Sequence, residues 1–173
     1  ALLDPTKIQA YAESLLEEKV EYITVQYMPL DLLKNIQALG YKLRTEGFAM
    51  TVPNETRIGA KSTIILRDTV FDESHRRKPE IWSDQQYILK NIIQNHERLH
   101  AEHNRKGIPE YQSAHFKNSQ GKFNTNLFLM VSELLCHQAE YQGLLKVKHE
   151  ATSPYLSLTL AISLGSCSPT MTH

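Results

Sequence analysis

Residues His96-Glu97-Arg98-Leu99-His100 form an HExxH box. On a helix, positions i and i+4 project from one face, so both imidazoles can reach the same metal ion. Glu97 lies about a quarter-turn round, close enough to hold a water beside the ion and take its proton. These residue types at this spacing point to metal-assisted hydrolysis, with one zinc ion per chain as the expected cofactor. The competing reading is a polar helix face that happens to carry two histidines.

The surrounding sequence favours the metal. Ser83 can cap a helix, with Gln86 completing a capping box and Asp84 suited to the positive end of the dipole. Ile88, Leu89, Ile92 and Ile93 then recur at helical spacing, and His96, Leu99, His100 and His103 continue the same stripe until Gly107 and Pro109 stop it. A bare imidazole on a core-facing stripe needs a partner, and a metal supplies one. His103 lies about 10 Å along the axis from His96, too far for the same ion, and reads as a supporting or structural histidine.

A catalytic zinc takes three protein ligands and keeps one open position. Beyond a polar stretch at 117–122, expected to be flexible, residues 124–148 read as a second long helix. Leu127, Phe128, Met130, Val131, Leu134, Leu135 and Leu144 are expected to form its apolar side. Glu133, His137 and Glu140 share one face of it. Glu133 is the first choice for third ligand, ahead of Glu140, then His137, with His115 in the connecting segment as an outsider. Two glutamates on a solvated face are the ordinary alternative, which the interposed Cys136 and His137 disfavour.

An HExxH helix followed by a helix carrying a glutamate resembles the zincin metallopeptidases, in particular their glutamate-ligand branch. The resemblance implies that His96, His100 and Glu133 bind zinc and that Glu97 is the general base. That branch often places an acid four residues after the ligand glutamate, where this chain has His137. Over some forty residues the chain also resembles the light chains of the clostridial neurotoxins. The likeness runs from His96 through His103 to Gly107-Ile108, then to Asn124-Thr125-Asn126 and Glu133. The chain is far shorter than those toxins, which makes the likeness one of type, shared with compact bacterial effector proteases. It implies an endopeptidase acting on a protein substrate, such as a secreted effector or toxin protease.

The 173 residues suit one domain, 1–173, with a sizeable core. Hydrophobic residues make up 41% and charged residues 22%, an ordinary globular balance. Nineteen basic residues offset nineteen acidic ones, so no net field draws the chain to nucleic acid or a membrane. A local basic cluster, His75-Arg76-Arg77-Lys78, precedes the box as a solvated loop or a substrate contact. Cys136 and Cys167 do not make a disulfide framework, and a reducing compartment fits them better, such as a cytosol or a host cytosol. The apolar run 156–164 is short and broken by Ser157, Thr159 and Ser163, so no spanning segment or signal peptide is expected. The start at Ala1 without methionine suggests trimming or a fragment.

The remaining elements read as an α+β arrangement, zincin-like, with a small mixed sheet, a zinc-binding helix and a following ligand-bearing helix. Asp4-Pro5 opens a helix to about Lys19, and Glu21 to Met28 is a strand. Asp31 to Gly40 is a helix, 41–44 and 48–52 are short strands, and Ser62 to Arg67 is a firmer one. By the resemblance, Thr63 to Leu66 is the edge strand that would pair with an extended substrate; an interior core strand is the competing reading. The oxyanion needs a donor besides the metal, and Tyr111, His115, His137 and Tyr141 all qualify. Two rivals remain, a metal-binding interaction module without turnover and a zinc hydrolase acting on a small molecule.

Overall fold

A computed structural model of the chain describes residues 5–16, 21–28, 49–67 and 90–150, with isolated positions between 32 and 39 and at 161. Helix α1 spans Pro5–Leu15; strands β1, β2 and β3 span Ile23–Met28, Ala49–Pro53 and Ser62–Arg67. A π-helical turn, Ile92–Glu97, runs straight into helix α2, Arg98–Lys106. A 3₁₀ turn at Ser113–Phe116 leads to helix α3, Thr125–Glu150. This is a small α+β fold with one mixed three-stranded sheet, ordered β1-β3-β2. Most of the expected helix at 31–40 and of the run from 153, and all of the strand at 41–44, the basic cluster at 75–78 and the Ser83 cap, lie outside the described residues.

Strand β3 pairs parallel with β1 (Val25 opposite Ile64) and antiparallel with β2 (Thr51 opposite Ile64). It is therefore the central strand, which corrects the expectation of an edge at 63–66. The reason lies in its composition: Ile64, Ile65 and Leu66 are all buried, and a continuous apolar run needs cover on both faces. Among the described residues the edge nearest the HExxH box is β2. One sheet face carries Val25, Ile64 and Leu66 and packs against Ala12 and Leu15 of α1 and Ile93 of the π turn. The other carries Met28 and Ile65, flanked by Met50 and Val52.

Helix α2 ends where expected, because Gly107 takes a φ of 82° and donates its N–H to the His103 carbonyl at 2.9 Å. Asn104 ties this helix to the sheet by donating its side-chain amide to the buried Ser62 hydroxyl at 3.0 Å. The connection to α3, over the polar stretch at 117–122, is a hydrogen-bonded turn. Asn118 Oδ1 accepts the N–H groups of Gln120 and Lys122, and Lys117 bridges to Phe123. Beneath it Ile108, Phe116 and Phe128 form a buried cluster. Asn124 caps α3, its Oδ1 accepting the Leu127 N–H at 3.1 Å.

The inward side of α3 differs from the expected one. Met130 and Leu134 are exposed, while Phe128, Ser132, Cys136, Glu140 and Leu144 are buried. Histidines on the facing helix call for polar partners, so the polar row turns inward and two apolar side chains turn out. Gly143 allows the close approach. A Cβ there would overlap Asn91 Oδ1 and lie 2.6 Å from Asn95 Nδ2. Neither amide can swing away freely, because Asn91 Nδ2 donates to the Glu140 carbonyl at 2.9 Å and Asn95 donates to Asn91. Gly143→Ala is expected to destabilise by about 1–3 kcal/mol through overpacking, exceeding the ~1 kcal/mol gain in helix propensity. A thermal melt checks this; an unchanged or higher midpoint would contradict the packing.

Candidate metal centre

The HExxH box straddles the junction of the π turn and α2. His96 and Glu97 close the π turn, and His100 stands in the first turn of α2. All three are buried, with Glu97 only 4% exposed. Extra residues in a helical turn re-aim side chains, and such turns occur often at functional sites.

Both His96 and His100 direct Nε2 at one carboxylate on α3. His96 Nε2 is 3.3 Å from Glu133 Oε1, and His100 Nε2 is 2.8 Å from Glu133 Oε2. The opposite ring nitrogens are held by other groups. His96 Nδ1 lies 2.8 Å from Glu140 Oε2, and His100 Nδ1 lies 2.8 Å from Ser132 Oγ. Ligand atoms around a tetrahedral ion with bonds of 2.0–2.2 Å sit roughly 3.3–3.6 Å apart, which the His96–Glu133 spacing meets and the His100–Glu133 spacing would reach by opening about half an ångström. His96, His100 and Glu133 could therefore hold a metal ion, and so could His96, His137 and Glu140, the ligand atoms of each set lying within 4.8 Å of one another.

Ser132 Oγ also lies 2.8 Å from His103 Nδ1, yet a hydroxyl has one proton to give. Burial, reinforced by the neighbouring His100, lowers the His103 pKa to about 4 and keeps that ring neutral. At least one of the two rings must therefore donate its Nδ1–H to the Ser132 oxygen. His103 and His100 thus meet on the one Ser132 hydroxyl. The Nε2 of His100 lies 2.8 Å from Glu133 Oε2.

Charges around the centre respond to one another. Burial opposes a charge on His96, but the hydrogen bonds to Glu133 and Glu140, helped by the Glu97 charge, outweigh it and raise the pKa to about 10. Burial would raise Glu133, and the His100 and His96 imidazoles more than reverse this, holding its carboxyl well below the usual range. A metal taking these nitrogens and this carboxylate has to displace a proton from His96. Cys136, next to Ser132 at 4.0 Å, has its thiol pushed up by burial and stays protonated.

Glu97 is steered from the sheet. Thr51, on the helix-facing side of β2, donates its hydroxyl to Glu97 Oε2, and the Glu97 main-chain oxygen lies 3.2 Å from the same hydroxyl. The other carboxylate oxygen, Oε1, stands 4.0 Å from His96 Nε2. One oxygen is anchored and the other faces the nitrogen that would ligate the ion.

The remaining expected residues divide. His137 joins the cluster, 3.0 Å by Nε2 from Glu133 Oε1, with its ring centroid 4.8 Å from that of His96. Tyr141 packs beside Ile92 and Leu144. Tyr111 and His115 pair with each other on the exposed connection, centroids 6.2 Å apart, where His115 Nδ1 faces the Gln112 carbonyl. Thr51, Ser132, Asn91 and Asn95 were not anticipated. Only Ser132, adjacent to Glu133 on the inward side of its helix, and Gly143, isolated within a helical pattern, left any signal in the sequence. Among the described residues no helix is long and apolar enough to cross a membrane. No protein-family model, curated protein or solved structure matches the chain.

Proposed function

We propose that the chain is a zincin-type zinc endopeptidase that hydrolyses a protein substrate. The observation that carries this reading is the convergence of His96 Nε2, His100 Nε2 and the Glu133 carboxylate, with Glu97 buried beside them. Two imidazoles and one carboxylate are a donor set suited to catalytic zinc. Zinc bound there would polarise the scissile carbonyl and acidify water.

The chain's own groups supply the rest. Glu140 and Ser132 hold the Nδ1 atoms of His96 and His100, which fixes ring orientation and tautomer. Glu97 takes the proton of the attacking water on the oxygen that Thr51 leaves free, then returns it to the leaving amine. His137, half-exposed and bordering His96, is the best placed of the four oxyanion donors considered. Strand β2, an edge next to Glu97, offers main-chain groups to an extended peptide.

The test is cleavage of an unfolded protein substrate. Activity should be lost on chelation and return with zinc but not with magnesium. Cleavage that persists after exhaustive chelation would overturn the reading.

A further inference from the structure

His96 faces carboxylates with both ring nitrogens. Nε2 looks toward Glu133 and Nδ1 toward Glu140. His137 bridges the same two acids from the solvent side, with Nε2 3.0 Å from Glu133 Oε1 and Nδ1 3.5 Å from Glu140 Oε2. Glu140 Oε2 thus sits 2.8 Å from one imidazole nitrogen and 3.5 Å from another. The ligand atoms of His96, His137 and Glu140 all lie within 4.8 Å of one another, near enough to close on one cation. The side chain of His137 is 47% exposed, so this second set opens to solvent.

We propose that His137, Glu140 and His96 Nδ1 form a second, weaker site for a divalent transition-metal ion, filled after the His96–His100–Glu133 site and sharing His96 with it. Imidazole and carboxylate together suit zinc, and an imidazole can serve two ions through its two nitrogens. In the singly loaded protein the Nδ1 proton of His96 is held by Glu140. The second ion takes the place of that proton, which leaves to solvent, so binding there is weaker than at the first site. Its occupancy draws His137 and Glu140 onto the ion.

The inference rests on the first ion lying at His96 Nε2 and is independent of peptide hydrolysis. The test is the count of Zn2+ bound per chain, by equilibrium dialysis against rising Zn2+ and elemental analysis. Glu97→Gln protein serves, because it retains every proposed ligand and removes self-cleavage. Two ions should bind in sequence. Adding His137→Ala should abolish the second and leave the first, while His115→Ala, at an exposed histidine outside the cluster, should keep both. Saturation at one ion overturns this inference alone, as does a second ion that survives loss of His137 or disappears with His115. No ion at any concentration overturns the metal reading as well.

Discussion

Glu97→Gln is expected to fold, keep its metal and lose hydrolysis by roughly a hundred- to ten-thousand-fold, the usual contribution of a general base. The amide preserves the size of the side chain and can still accept the Thr51 hydroxyl through its oxygen. It cannot take a proton from water at neutral pH. None of the three proposed ligands is altered, so zinc content separates a lost base from a lost site. Near-normal cleavage by the zinc-loaded variant would remove Glu97 from the mechanism. Cleavage absent from both wild type and variant, with zinc bound to both, would favour a metal-binding module without turnover.

The second large effect separates Glu133 from Glu140. Glu133 faces both Nε2 atoms, and Glu140 faces only His96 Nδ1. Glu133→Ala removes a ligand and should release zinc to a chelator of moderate affinity. Glu140→Ala leaves the ligands in place and frees one ring to rotate, which should weaken binding by about ten- to a hundredfold. Competition with a chromophoric chelator reads both. Zinc held firmly by Glu133→Ala and shed by Glu140→Ala would instead place the ion between His96, His137 and Glu140.

Periodicity made part of this site legible. The i, i+4 spacing of His96 and His100, and the placing of Glu133, His137 and Glu140 on one helical face, are local properties that sequence displays directly. The partners that orient them are not local. Thr51 reaches Glu97 across 46 residues and Asn91 reaches the Glu140 carbonyl across 49, and no short-range pattern encodes such pairs. Strands β1, β2 and β3 were all recognisable as strands, but the order in which they pair was not, and the buried Ile64-Ile65-Leu66 run was the clue to a central position for β3. Helix α3 misleads for another reason. Its leucines and methionine suggested an apolar inner side, whereas facing histidines draw Ser132 and Glu140 inward and leave Met130 and Leu134 exposed.

The central claim is a metal held by His96, His100 and Glu133, and the zinc content of purified protein tests it most directly. At low free Zn2+, elemental analysis should give close to one zinc per chain for the wild type. His96→Ala, which removes the imidazole that both carboxylates face, should carry almost none while keeping its helical circular dichroism. Wild-type protein with no zinc after purification and zinc reconstitution, or His96→Ala with a full equivalent, would contradict it.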